Sequence, residues 1–312
     1  MNSSPFLVAV GECMVELRHQ ADGLVSQSFG GDTLNTAVYL ARLAGQAYRA
    51  GYATALGADD PYSEAMVARW QSEGLDTRCV ARLPGELPGL YSIHVDPAGE
   101  RRFSYWRQNA PARRYLTLPD CPLQRLLSEI GWLYFSGISL AILPPEGRAR
   151  LFALAERLRQ QGGRVVFDNN YRPRLWASAD EARATYRQAY VRADIALVTL
   201  SDEQDLWALP DEAAALEALG ESTVPELVVK RGAAPTRVRA DGRWIEAPTV
   251  PVARVVDTTA AGDSFGAGYL AARLHGRDPM TAAMAGNRLA ATVIQHPGAI
   301  IPLEAMPTAL WE

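Results

Sequence analysis

The feature that most constrains this chain is a recurring order: a short run of apolar residues, then a longer segment with helical periodicity, then another apolar run. "FLVAVGECMVEL" (residues 6–17) reads as a buried first strand. "NTAVYLARLAG" (35–45) places Val38, Leu40 and Leu43 on the apolar side of a helix that stops at Gly45, and "PYSEAMVARWQSEG" is a helix stopped by Gly74. Further on, "WLYFSGISL", "RVVFDNN", "DIALVTL" and "PELVVKRG" read as strands. "PEGRARLFALAERLRQQGG" and "ADEARATYRQAYVRA" are the helices between them, and two helices, 264–274 and 279–294, come last. Strands that are apolar throughout must be covered on both faces, so the pattern predicts an α/β fold with a mainly parallel sheet.

One segment breaks the rhythm. "GLYSIHV" and "RRFSYWR" are strands joined by the turn signal "DPAGE", which gives a hairpin over 89–107. A second pair, "TRVRA" and "RWIEA", is joined by the tight-turn signal "DG". With 312 residues, 48% apolar and 21% charged, the chain has material for one large α/β domain plus a small accessory piece. No repeat, low-complexity tract or long linker divides it, so 1–312 reads as one domain.

The charge balance, 31 Lys+Arg against 35 Asp+Glu for a net −4, disfavours a nucleic-acid partner. Cys13, Cys79 and Cys121 are far apart and form no C-x-x-C pair, as expected of a reducing cytosol. The start "MNSSPFLVAV" lacks a basic leader, and "WLYFSGISLAIL" is too short to span a bilayer. The expectation is a soluble, cytoplasmic protein with no membrane partner.

In a parallel sheet, ligands bind beyond the C-terminal ends of the strands. There is no P-loop, no G-x-G-x-x-G after the first strand and no zinc-type His/Cys spacing. What remains is small-residue and polar clusters. In "DTTAAGDSF" (257–265), Ala260, Ala261 and Gly262 precede Asp263 and a helix. Small residues and free N–H groups at a helix start receive an anion, and Asp263 can either cap the helix or accept a proton beside a transferring phosphoryl group. In "FGGDTLN", Gly30 and Gly31 are either plain loop or a close approach to a ligand, and Asn35 is either a cap or a contact. "VVKRGA" puts Lys230 and Gly232 at a strand end, as a surface turn or a ligand edge, and "FDNNYRPRLW" puts Arg172 at another. On the hairpin, Tyr91, Ile93 and Val95 share one face, and Phe103, Tyr105 and Arg107 share one. If these faces coincide, two tyrosines and an arginine point at what the hairpin covers; otherwise it is an exposed edge or a dimer contact. Two arginines and two tyrosines around one pocket suit a carboxylate, through charge-assisted bonds of about 1.5–3 kcal/mol.

"DTTAAGDSFGAGYLAARL" resembles the C-terminal signature of the ribokinase-like (PfkB) sugar kinases, D-T-x-G-A-G-D-x-F-x-A-G, and "GGDTLNTAVYLARLAG" resembles their N-terminal signature. The resemblance covers nearly the whole chain. It implies a three-layer α/β/α fold with a small β lid, here mainly 89–107. It makes Asp263 the catalytic base and Ala260, Ala261 and Gly262 the anion hole, with Ala260 standing where the family has Gly. Gly31, Asp32 and Asn35 become substrate contacts, and Lys230, Gly232 and Asn287 border ATP. In the N-x-x-E segment of many family members, Ser201 and Gln204 stand here at those positions, leaving either Asp202, Glu203 or Asp205 as a substitute or only a capping role, and the metal-supporting residue unassigned.

"GECMVEL", "LPGLYSIHVD", "GERRFSYWR" and "DNNYRPRLW" look like the branch of the family that acts on the sugar acid 2-dehydro-3-deoxygluconate. By that resemblance Tyr91, Tyr105, Arg107 and Arg172 bind the acid, and the Asn170–Arg172 backbone also borders ATP. The implied reaction is phosphorylation of the C6 hydroxyl by ATP with Mg²⁺, with a monovalent cation left open. A homodimer through the lid is also implied.

Overall fold

The computed structural model describes residues 4–20, 23–95 and 101–311. Its strands are β1 (Phe6–Val10), β2 (Met14–His19), β3 (Val25–Gly30), β4 (Arg49–Gly57), β5 (Val80–Leu83), β6 (Leu90–Val95), β7 (Arg101–Trp106), β8 (Trp132–Ser136), β9 (Arg164–Asp168), β10 (Ile195–Thr199), β11 (Glu226–Arg231), β12 (Ala234–Ala240) and β13 (Arg243–Ala247). Nine form one sheet in the order β13-β12-β11-β10-β9-β8-β1-β4-β5, parallel from β11 to β5 with an antiparallel edge of β12 and β13. The other four form a separate sheet, β3-β2-β6-β7.

Central position explains the unbroken apolar runs. In β1, Phe6, Val8 and Val10 join the core on one face of the large sheet, and Leu7 and Ala9 join the core on the other. Each fully buried Leu or Phe contributes about 1.5–3 kcal/mol. Helices cover both faces and start where the sequence supplies a cap. Asp60 accepts from Ser63 N at 2.9 Å before helix Pro61–Ser72, and Ser178 Oγ accepts from Glu181 N at 3.1 Å before helix Ala179–Arg192. The "DG" hairpin is present: Asp241 and Gly242 both have positive φ, 50° and 73°, as a two-residue turn of that hand requires.

Three readings are corrected. The run 6–17 is two strands rather than one: β1 ends at Val10, and after Gly11–Cys13 the chain enters the small sheet as β2. Gly11 permits this break, because a Cβ there would lie 2.0 Å from Thr33 Oγ1. "WLYFSGISL" is a strand only to Ser136, whose hydroxyl accepts from Ser139 N and starts helix Gly137–Ile142. The lid is also larger than its hairpin, because β2 and β3 (Met14–Gly30) supply half its strands. The hairpin register is Tyr91 opposite Tyr105 and Ile93 opposite Phe103, so the two faces do coincide. The "DPAGE" turn (96–100) lies outside the described residues.

Candidate active site

A cleft of about 820 Å³ lies between the lid and the C-terminal ends of β1, β9, β10 and β11. On the large-sheet side its wall is the start of helix Ala261–Leu274. Asp257 shapes the turn before it, accepting from Thr259 N at 2.9 Å and from Gly298 N at 3.0 Å. Ala260 then takes the left-handed conformation, φ 61°, which costs an L-residue about 1–2 kcal/mol and is the conformation that favours glycine.

Asp263 does not cap this helix, whose N-cap is Ala260 with no side-chain cap bond. Its carboxylate instead accepts from Asn35 Nδ2 at 2.8 Å, and its carbonyl accepts from Thr36 Oγ1 at 3.2 Å. Both partners lie on helix Asp32–Leu43, so the two signature segments, far apart in sequence, meet at one carboxyl group. Burial pushes the Asp263 pKa up to about 8, with the nearby carboxylate of Asp32 adding to the rise and the Asn35 bond opposing it.

The small residues around Asp263 form a tight turn that leaves amides unpaired, though not every amide expected. Ala261 N donates to Thr258 O at 3.2 Å, because the left-handed residue before it folds the chain back on itself. Among the described residues, the N–H groups of Ala260, Gly262 and Asp263 have no partner and face the cleft end of the helix. Lys230, at the end of β11, is adjacent: a methyl group on Gly262 would sit 3.5 Å from its Nζ. The ammonium is held by both oxygens of Asp168, each at 3.2 Å, in a buried pair. Burial raises the Asp168 pKa and Lys230 opposes the rise.

Opposite this end is the lid. Tyr91, Phe103 and Tyr105 form a row of rings 5.8–6.5 Å apart on the face that lines the cleft. Tyr91 OH donates to Glu16 on β2, and Gly30 leaves room for it, since a Cβ there would come to 2.4 Å of the hydroxyl. Arg107 lines the cleft but is buried, and it is already paired by Glu12, just past the end of β1. Arg172 is more open and is held by Asp202 at 3.2 Å and its neighbour's carbonyl, Tyr171 O, at 2.6 Å. Asp32 accepts from Ser136 Oγ at 2.5 Å and Asn170 Nδ2 at 2.7 Å.

The cleft therefore gathers Gly31, Asp32, Asn35, Tyr91, Tyr105, Arg107, Asn170, Arg172, Lys230, Gly232, Ala260, Ala261, Gly262, Asp263 and Asn287. Asn287 is less available than the others, because Thr236 Oγ1 donates to its oxygen at 2.9 Å and its amide donates to Pro248 O at 2.9 Å. In the segment that departs from N-x-x-E, Glu203 is buried, accepting from Tyr190 OH and Trp207 Nε1, both at 2.6 Å, and from Asn169 Nδ2 at 3.2 Å. Asp205 is exposed, and only Asp202 of the three lines the cleft. Sequence reasoning did not single out Glu12, Glu16, Ser136 or Asp168. Glu12 and Asp168 stand at or just past strand ends, the same signal that marked Arg172.

A helix start with unpaired amides, a raised carboxyl within it and a lid closing a cleft above it together define an α/β kinase that moves a phosphoryl group onto a small hydroxylated substrate. The description of the "pfkB family carbohydrate kinase" matches residues 4–306, and the chain belongs to that family. A curated relative from Dickeya dadantii (strain 3937), named 2-dehydro-3-deoxygluconokinase, is 48% identical over 96% of this chain and 98% of its own length. A relative of the same name from Escherichia coli (strain K12) is 46% identical over the same shares. Among solved structures, 2-dehydro-3-deoxygluconokinase from Thermotoga maritima aligns with TM-score 0.83 at 20% identity, covering 96% of this chain and 95% of that one. Fructokinase from Vibrio cholerae O395, in a form with fructose, ADP and calcium ion bound, aligns with TM-score 0.81 at 25% identity, covering 97% and 96%.

Proposed function

We propose that this chain transfers the γ-phosphoryl group of ATP to the C6 hydroxyl of 2-dehydro-3-deoxy-D-gluconate, releasing ADP and the 6-phosphate. The observation that carries the chemistry is the Asp263 carboxyl, held by Asn35 at 2.8 Å beside the unpaired amides of Gly262 and itself. A carboxyl with a pKa of about 8 is a stronger base than an ordinary aspartate, and a base poised near the working pH is the efficient choice. The substrate follows from relatives of 41–48% identity that carry that name.

In this reading Gly31, Asp32 and Asn35 hold the sugar chain, while Tyr91, Tyr105, Arg107 and Arg172 hold the acid end against the lid. That fixes the C6 hydroxyl at Asp263. Asp263 takes the C6 proton as the C6 oxygen bonds to phosphorus and the bond to the ADP oxygen breaks. The N–H groups of Ala260, Gly262 and Asp263 donate to the phosphoryl oxygens, and Lys230 and Gly232 border the nucleotide. The lid excludes water, which limits loss of ATP to hydrolysis. Mg²⁺ offsets phosphate charge when bound. Among the described residues no group of three or more His, Cys, Asp or Glu is placed to hold a metal ion.

The compartment in this reading is the cytoplasm, in keeping with three buried, unpaired cysteines. Among the described residues no helix is long and apolar enough to cross a membrane. A lid-to-lid homodimer belongs to the same proposal, supported by Trp106, which is 60% exposed on the lid face turned away from Tyr105. Light scattering in solution checks it.

Asp263→Asn, with folding checked by melting, is expected to lower kcat by roughly 10²–10⁴; turnover near wild type would end the base assignment. A phosphorylation screen of both C4 epimers of the acid against ribose, fructose and adenosine tests the substrate. Arg107→Ala and Arg172→Ala should each raise KM for the acid far more than for ATP.

A further inference from the structure

The cleft arginines differ in whether their charge is already answered. Arg107 is paired by Glu12, Arg172 by Asp202 and Arg231 by Glu212. Each of these arginines shares its charge with a carboxylate, which lowers what it offers an incoming carboxylate, although Arg107 keeps a buried Nε without a partner. Arg174 lies at the exposed rim over the Tyr105 ring, 5.6 Å from its centroid, where solvent and salt screen it. That leaves Arg113, which lines the cleft beside the Glu12–Arg107 pair.

Arg113 is partly buried, yet among the described residues its guanidinium makes no hydrogen bond and has no carboxylate within ion-pair reach. Other partly buried arginines here behave differently. Arg42 is clamped by Glu73 and Ile301 O, Arg82 by the carbonyls of Gly57 and Ala58, and Arg148 by Glu181 and Leu140 O. An unanswered guanidinium on a cleft wall is the arrangement a carboxylate ligand completes.

Its mounting is also rigid. Arg113 lies in the short helix Pro111–Thr117, which begins with Pro111 and is pinned by buried Tyr115, whose hydroxyl donates to Cys79 O at 2.7 Å. The pin is to the main body, whereas Arg107 follows directly on the lid strand β7. Arg113 is close enough to Glu12 to oppose the rise that burial imposes on its pKa.

We infer that Arg113 is a specificity-determining residue: it supplies the uncompensated positive charge that recognises the C1 carboxylate, from the body side of the cleft and opposite the lid arginine. This rests on the sugar-acid reading above. The two are separated by running wild type first. If wild type does not phosphorylate the acid, the functional reading is wrong and the inference goes with it.

The test measures KM and kcat for Arg113→Met and Arg113→Lys with the acid, its C1 carboxamide and ATP. Loss of one charge-assisted contact should raise the acid KM of Arg113→Met about 10- to 100-fold. The KM for ATP and the KM for the neutral carboxamide should each move less than about twofold, a split a purely structural role would not produce. Arg113→Lys should recover most of the acid KM. Arg114, which is paired with Glu86, is the control, and Arg114→Met should behave as wild type. An acid KM within about twofold of wild type in a folded Arg113→Met, or an equal loss with the carboxamide, overturns the inference. Should Arg113→Met not fold, Arg113→Lys decides: an acid KM close to wild type supports the inference, and a loss shared equally with ATP and the carboxamide overturns it.

Discussion

The two ends of the cleft are built by opposite rules. At the end beside Asp263, proposed for the phosphate, the charged side chains sit on the large sheet and answer one another: Lys230 and Asp168, with side chains 10% and 3% exposed, are joined at the strand ends. At the end proposed for the acid, the groups stand on or under the lid and differ among themselves: Arg107 is buried with Glu12, whereas Arg172 is 45% exposed at its side chain and Phe103 and Tyr105 near 38% and 36%. Charges at the first end act in a low-dielectric setting and tolerate little change. Those at the second end are adjustable, so differences in acceptor among kinases of this fold should concentrate there.

Removing one charge from each end tests that contrast most severely. Lys230→Met leaves Asp168 buried and unpaired and should cost about 3–5 kcal/mol of stability, read by denaturant unfolding. Arg172→Ala should cost under about 1 kcal/mol in the same measurement, because its ion pair is open to water. Similar losses at both ends would erase the distinction.

The next effect is on pH. An unfolded aspartate titrates near 3.9, and Asp263 in the folded chain near 8. Between those values the folded chain holds one extra proton. The contribution of this group to stability is therefore full below about 4 and is lost as pH rises through about 8. Asp263→Asn should flatten that part of the stability profile. Catalysis runs the other way: kcat/KM, which reports the free enzyme, should rise with pH through about 8. Asp32→Asn removes a like charge and should move that midpoint down.

The smallest effect expected is at the turn. Ala260→Gly relieves the left-handed strain at φ 61° and should raise stability by about 1 kcal/mol or less in a melting experiment.

The contrast between the ends also decides what the sequence could reveal. The large sheet was legible because its central strands are runs of apolar residues with polar residues only at their ends, and the signature segments were legible because small residues gather at a helix start. β4 and β5 were not read as strands, since "RAGYATALG" is rich in Ala and Gly and "VARL" is only four residues long. The break at Gly11 was hidden inside a continuous apolar run, because one-dimensional hydrophobicity does not record which sheet a residue enters. Lys230 was found by position, but its partner Asp168 was not, since pairing across strands depends on sheet order. Arg113 carries no sequence signal at all: it stands in "ARRY" beside Arg114, and only the structure separates a paired arginine from an unanswered one.

The division of residues 6–19 between two sheets has a consequence for engineering. The lid is not a cassette. Its strands come from two stretches, Met14–Gly30 and Leu90–Trp106, with two helices and two strands of the main body between them. Transplanting a lid from another kinase to change the acceptor would need two matched grafts joined through Gly11, where a side chain would meet Thr33. A single hairpin swap would leave half of the old lid in place.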